Sequence, residues 1–292
     1  MIRDYFSNIP LLLSLSLFFI YFLLLGLEQI RPLRKRTRPL LHRMIINVTF
    51  SFCVYFTAIL LISPVATYTM QMTSTHAFGL LQWFPMNTYL NFILGFMLLD
   101  LTFYYWHRLN HEWPLLWRFH NVHHIDPDLD VTTSMRFHVV EIAYSSLFRL
   151  AQLGLIGVAP ITLFLYELVF QANTFFHHSN VRLPLHVEKI LNKVLVTPRM
   201  HGVHHSAYLD ETNRNYSVVF SVWDRLHKTI KLNIPQQDIT VGVPAYLQPN
   251  DNTLVTLLIM PFKTQRRYWR FGDETYVHRV AGPIKPANEM VE

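Results

Sequence analysis

From Ile9 to Leu27 the chain runs nineteen residues without a charged side chain. About 20 apolar residues in a helix cross the hydrocarbon core of a bilayer, and a helix satisfies its backbone N–H and C=O groups within one segment. This constrains the fold more than any other feature. A signal peptide is the competing reading, but the run exceeds a typical apolar h-region and no small-x-small cleavage site follows it. Further apolar runs occupy 45–63, 89–106, 142–158 and 161–176, the last two broken near Gly157 and Pro160 as in a hairpin that enters the bilayer and returns. Charged residues make up 15% of the chain, against about 25% in soluble domains. The expected fold is therefore all-α: a multi-span integral membrane helical bundle with a cytosolic, histidine-rich helical cap. No linker or repeat divides the 292 residues, so 1–292 reads as a single domain. Cys53 is the only cysteine, which excludes an internal disulfide and any cysteine-based metal site.

Charge placement orients the spans. Arg31, Arg34, Lys35, Arg36, Arg38 and Arg43 crowd between the first two runs, while Pro64–Thr88 contains no Lys, Arg, Asp or Glu. Positive residues stay on the cytoplasmic side, so the 31–43 loop is expected inside and the 64–88 loop outside. The third run returns to the cytoplasmic face at His107, and an even number of later crossings keeps everything after Phe176 there. The net charge of +6 accordingly reads as a membrane face, in a bacterial inner membrane or endoplasmic reticulum, with no nucleic-acid partner. Residues 183–195 read as an amphipathic helix, in the interface or on a soluble core. Leu183, Val187, Ile190, Leu191, Val194 and Leu195 take one face; Glu188, Lys189, Asn192 and Lys193 take the other. Residues 206–292 form the expected cytosolic cap, and Leu254–Phe262 is apolar enough to dip into lipid.

Twelve of the sixteen histidines fall between His107 and His205. His107 and His111 are spaced i,i+4 and share a helical face. The runs His120-x-x-His123-His124 and His201-x-x-His204-His205 each repeat i,i+3 and i,i+4 relations, and His138 and His178 stand as single candidates. A pair at a span end is often an interfacial feature; two triplets with a pair upstream, all on one membrane face, point to metal. Ten candidates suit two ions rather than one four-coordinate structural zinc. Imidazole accepts zinc, copper, iron or nickel, so the spacing alone does not separate iron from zinc.

The same residues resemble the fatty acid hydroxylase/sterol desaturase superfamily. The resemblance is carried by Asp100 through Tyr104 to His107-Arg108-x-x-His111, then His120-x-x-His123-His124, Arg136-x-His138-x-x-Glu141 and His177-His178-Ser-Asn180. Thr197-Pro198-Arg199-x-His201-x-x-His204-His205, Asn215-Tyr216 and Trp223-Asp224-Arg225-Leu226 complete it. Ser217 and His227-Lys228-Thr229 depart from the family's glycine after Asn-Tyr and its Phe-Gly-Thr, which leaves the substrate unassigned. The resemblance implies a membrane-embedded di-iron site that uses dioxygen to hydroxylate or desaturate a fatty acyl or sterol-like lipid, with zinc as an alternative occupant of purified protein. By resemblance the ligands are His107, His111, His120, His123, His124, His138, His178, His201, His204 and His205, with His177 the less favoured of its pair.

Asp100, Glu141 and Asn215 are candidates to orient a ligand histidine. Asp100 is equally placed to cap a helix or pair with Arg108, and Asn215 to serve a turn. Dioxygen takes four electrons and a C–H bond supplies two. The chain carries no Gly-x-Gly-x-x-Gly fingerprint and no cysteine cluster, so the other two are expected from a partner such as a ferredoxin or a cytochrome b5-like protein. The rival reading is a membrane metal-binding or transport protein without oxygenase activity; it would place histidines midway along spans rather than at their ends.

Overall fold

The computed structural model describes residues 2–84 and 86–270, with side chains from Ser14 onward; the part of the expected cap beyond Arg270 lies outside the described residues. The architecture is all-helical, with no strand among the described residues beyond three isolated bridges. In chain order the helices are α1 (Ile2–Ile30), α2 (Leu40–Thr57), α3 (Ser63–Thr75), α4 (Leu80–Trp83), α5 (Thr88–Glu112), α6 (Pro114–His124) and α7 (Val139–Ile156). They continue with α8 (Pro160–His178), α9 (Leu185–Leu191), α10 (Pro198–His204), α11 (Leu209–Thr212), α12 (Val222–Leu226) and α13 (Leu254–Ile259).

Two helical stretches, Leu40–Trp83 and Val139–Ile156, are long and apolar enough to cross a membrane, and Ser14–Ile30 is a shorter apolar helix. Their outer faces carry large apolar side chains: Phe18, Phe19, Phe52, Leu60 and Leu147 are each at least 60% exposed. Such a continuous apolar surface suits a lipid surround.

The 64–88 segment, expected as an external loop, is largely helical. Ala58–Ile62 forms a turn of π-helix and the chain continues into α3 with Pro64 in its first turn. The proline is accommodated because the ladder just before it has switched to i→i−5 bonds, with the Ser63 N–H on the Ala58 carbonyl, and the π turn absorbs the missing donor. The chain reverses instead at Gly79 (φ +109), which packs directly on Gly157 (φ +70) between α7 and α8. A Cβ on Gly79 would lie 2.7 Å from the Gly157 backbone, so this contact requires glycine.

Beyond Gly157 the two helices of the expected hairpin splay. α7 packs on α2, α3 and α5, whereas α8 packs on α1, α5 and α10. The space left between them holds a cavity. The 183–195 segment forms a shorter helix than expected, Leu185–Leu191. Glu188 and Asn192 are buried, Glu188 pairing with Arg199 at 2.7 Å, while Leu185, Ile190 and Val194 face outward. A buried charge demands a partner, and Arg199 supplies it from the histidine-bearing α10.

The basic loop is not uniformly a surface feature. Arg43 is buried and donates to Asp126 at 2.7 and 2.8 Å, with Asp130 as a further partner. Arg136, wholly buried, donates to the Val122 carbonyl, Asn47 and Asn252. Together they tie α2, the turn at Asn252 and the chain just before α7 to α6 and the loop that follows it, fixing the helix that carries three histidines.

Candidate metal centre

Nine of the ten candidate histidines converge. His107, His111, His120, His124 and His204 form one group; His123, His178, His201 and His205 form a second. In each group the ligating nitrogens lie within 4.8 Å of one another, and every member is buried. The groups adjoin: the rings of His124 and His205 stack at 4.3 Å. The elements explain the convergence. α5 presents His107 and His111 from one face of its last turns, α6 presents its triplet in its last turn, and α10 is a single short helix whose two faces serve both groups.

Hydrogen bonds fix how the rings point. Nδ1 of His107 donates to the Tyr216 carbonyl at 2.7 Å, Nδ1 of His204 to the Arg214 carbonyl at 2.7 Å and Nδ1 of His178 to the Thr174 carbonyl at 2.8 Å. Nδ1 of His120 donates to Glu141 Oε1 at 2.8 Å. A proton held on Nδ1 leaves Nε2 as a lone pair. Yet Nε2 of His204 and Nε2 of His107 face each other at 3.2 Å. In the second group the His178 and His123 Nε2 atoms lie 3.1 Å apart, His201 and His178 3.0 Å, and His205 and His201 3.1 Å. In the His107–His204 pair both protons are already held on Nδ1, so two buried lone pairs face each other and repel unless a cation lies between them.

The spacing also has the right size. Two nitrogens at about 2.1 Å from one ion and at right angles to each other stand about 3.0 Å apart, and two on opposite sides about 4.2 Å. The donor set therefore fits a metal in each group. The alternative, a proton shared between each pair, is opposed by burial. Desolvation pushes His178 and His204 down to about 3 and holds His107, His111, His123, His124, His201 and His205 well below the ordinary imidazole value. The Nε2 atoms of His120 and His124 are buried without a hydrogen-bond partner, as expected of atoms reserved for a metal.

His138 stands apart. Its Nδ1 accepts from the Val140 N–H at 3.2 Å as the cap of α7, and its Nε2 donates to the Leu258 carbonyl at 3.1 Å. With both nitrogens engaged it belongs to neither group. His177 lies beside His201, ring centroids 4.1 Å apart, but its Nδ1 meets Asn173. Asp100 touches no histidine and does not pair with Arg108, which binds Glu112. Its carboxylate accepts from Trp223 Nε1 at 2.7 Å and from the Phe220 N–H at 3.1 Å, anchoring the segment that delivers the Tyr216 carbonyl. Asp224 completes that anchor, accepting from the Tyr216 and Ser217 N–H groups at 2.9 Å each. Asn215 sits at φ +55, a conformation asparagine tolerates, and donates to the Met200 carbonyl of α10 at 2.9 Å. It is both turn residue and clamp. The carbonyls of Tyr216, Arg214 and Thr174 are the orienting groups that a reading of side chains misses.

The cavity between α7 and α8, about 210 Å³, ends on this centre. Its walls include Phe103, Trp106, Phe137, Phe148 and Phe170, and His107, His120, His123, His178 and His201 close its inner end. Arg149 and Gln171 interrupt the apolar lining.

Comparison with known proteins places this geometry. Residues 92–229 match the family model described as fatty acid hydroxylase. The matched stretch is just under half of the chain and is similar to that family. It contains all nine converging histidines and their orienting carbonyls. The chain is 35% identical over 156 residues to the ornithine lipid hydroxylase of Rhizobium tropici, covering 52% of this chain and 45% of that protein. It is 28% identical over 142 residues to human alkylglycerol monooxygenase, covering 47% of this chain and 30% of the relative. Human cholesterol 25-hydroxylase is 28% identical over 152 residues, 51% of each chain. The chain thus spans about half or less of these curated relatives. No solved structure gives a significant match.

Proposed function

We propose that this chain is a multi-pass membrane di-iron oxygenase that hydroxylates or desaturates a lipid C–H bond. One observation carries the reading: the apolar cavity between the splayed helices ends on imidazoles of both histidine groups. A lipid chain entering from the bilayer would bring one of its carbons to the centre. The relatives named above act, by their names, on lipids and sterols, which supports that substrate class.

In this proposal His107, His111, His120, His124 and His204 hold one iron, and His123, His178, His201 and His205 the other. Bound iron would supply the reductive activation of dioxygen. The chain's own residues do the rest. The carbonyls of Tyr216, Arg214 and Thr174 and the Glu141 carboxylate keep Nε2 of four ligands aimed inward. Trp106 stacks on Phe148 at 4.5 Å, and with Phe103 these rings line the cavity and exclude water. The two remaining electrons come from an external ferredoxin or cytochrome b5-like donor, and the histidine centre lies on the cytoplasmic face. The histidines gather at helix ends and not along a path between helices, which favours an enzyme over a metal conductor.

The test is to incubate membranes holding the protein with isotopically labelled dioxygen and a reductant, and to examine the lipids for the label or for a new double bond. Labelled or unsaturated product is expected from the wild type and absent from His204→Ala/His205→Ala. Ala58→Trp, which fills the cavity from its α2 side, is expected to stop product while leaving the iron content unchanged. Product that survives the double substitution would overturn the proposal.

A further inference from the structure

A second pocket, of about 710 Å³, opens where the segment after α1 meets the loops at 127–129, 180–182 and 236–247. It is lined by Arg34, Lys35, Arg36, Arg38 and Arg182 against a single carboxylate, Asp128. That carboxylate is already committed: it accepts from the Thr37 and Arg38 N–H groups at 2.8 and 3.0 Å and lies 3.9 Å from Arg43. Arg36 leans on Glu28 at 3.5 Å and Asp130 at 3.9 Å. Among the described residues no carboxylate pairs with Arg34, Lys35, Arg38 or Arg182; Glu188, the acid whose field reaches Arg34 most strongly, is taken by Arg199.

Arg34 makes this a built site and not a stretch of basic surface. It is 8% exposed. Its Nη1 donates to the Pro198 carbonyl and to Gln236, and the room for that approach comes from Gly202, where a Cβ would collide with Nη1. Its Nε and Nη2 are buried and donate to nothing. A buried guanidinium with two donors that no protein group satisfies, ringed by three further cations without a carboxylate partner, matches a phosphate group.

We propose that this pocket binds the phosphate of an anionic ligand, with an anionic phospholipid headgroup as the source the position favours. Ile30, four residues before Arg34, is 75% exposed on the apolar α1, and Leu27 is 39% exposed one turn earlier. A lipid seated here would lay its acyl chains along that face with its phosphate at Arg34. Asn180 and Arg182, two and four residues beyond His178, put the pocket on the side of the molecule that carries the histidine centre. Through Arg34 and Gly202 the ligand would brace the back of α10, which supplies His201, His204 and His205.

The experiment measures lipid retained by full-length, detergent-purified protein in native mass spectrometry, with dioleoyl phosphatidylglycerol, dioleoyl phosphatidylcholine and inorganic phosphate as probes. The double variant Lys35→Gln/Arg38→Gln is the main comparison, because Arg34→Gln risks disturbing α10. Each cation near an anionic lipid contributes about fivefold in affinity, so the double variant is expected to bind phosphatidylglycerol roughly 30-fold more weakly. One tightly held phosphatidylglycerol per wild-type chain, in preference to phosphatidylcholine and not displaced by millimolar phosphate, supports the lipid source. Displacement by inorganic phosphate supports the phosphate site and assigns it to a soluble phosphate ester. Equal binding to wild type and double variant overturns the proposal.

Discussion

Among the described residues Glu141 is the one carboxylate hydrogen-bonded to a clustered histidine, and it offers the sharpest test of how the centre is held. His120 is 3% exposed and Glu141 5%, so the 2.8 Å bond between them is shielded from water. Glu141→Ala leaves the His120 Nδ1–H buried without an acceptor, a loss of about 1–3 kcal/mol. Removing an outer partner of a metal ligand typically weakens metal binding about 10–100-fold, which corresponds to roughly 1.4–2.8 kcal/mol. The two routes agree. Glu141→Gln keeps an oxygen acceptor but not the charge, and a charge-assisted bond is about twice as strong as a neutral one. Its expected loss is therefore about half in free energy, roughly 3–10-fold. The assay is iron retained per chain during titration with a competing chelator, with thermal unfolding of each variant as a check on folding. Retention by Glu141→Ala within about twofold of wild type would refute the reasoning. Equal losses in both variants would show that charge alone matters, not the orienting bond.

Three further outcomes are expected. Metal-stripped protein should lose stability as pH falls below the usual imidazole value of 6.5. The unfolded chain takes up protons there, while His178 and His204 stay neutral in the fold down to about 3; at pH 5 each costs about 2 kcal/mol. Thermal unfolding across that range checks it, and a melting temperature flat between pH 7 and 5 would contradict it. Gly79→Ala forces a Cβ onto the Gly157 backbone at positive φ, with strain and overlap each costing about 1–3 kcal/mol. It should lower the melting temperature clearly, whereas Gly26→Ala, with nothing within 4 Å of the new carbon, should not. Asp100→Ala strips the acceptor from Trp223 Nε1 and the Phe220 N–H. A destabilisation of about 1–3 kcal/mol is expected, with a smaller loss of iron than in Glu141→Ala because it acts only through the Tyr216 segment.

The histidine spacing made eight of the nine converging residues legible because i,i+3 and i,i+4 relations survive any arrangement of the helices; His178 came from the family resemblance. What pairs with them was less legible. Glu141 could be named from its place beside His138, but the carbonyls of Tyr216, Arg214 and Thr174 carry no side-chain signature. His138 reads like a ligand in the sequence and is spent on capping α7. The charge pattern was informative about position and misleading about environment. Arg34 and Arg43 belong to the basic loop, yet both are buried, because Gly202 makes room for one and the 126–130 aspartates neutralise the other. Pro64 suggested a span end, but a π turn carries the helix past it. In the α9 segment Glu188 and Asn192 turn inward, Glu188 to Arg199, a tertiary pairing that periodicity does not encode.

The most direct test of the account is metal content per chain in protein purified in mild detergent and reconstituted anaerobically with ferrous iron, beside His204→Ala/His205→Ala. These two histidines serve different groups, so one double substitution weakens both. The account predicts about two irons per wild-type chain and a large loss in the variant. No stoichiometric metal, or equal content in wild type and variant, would contradict it.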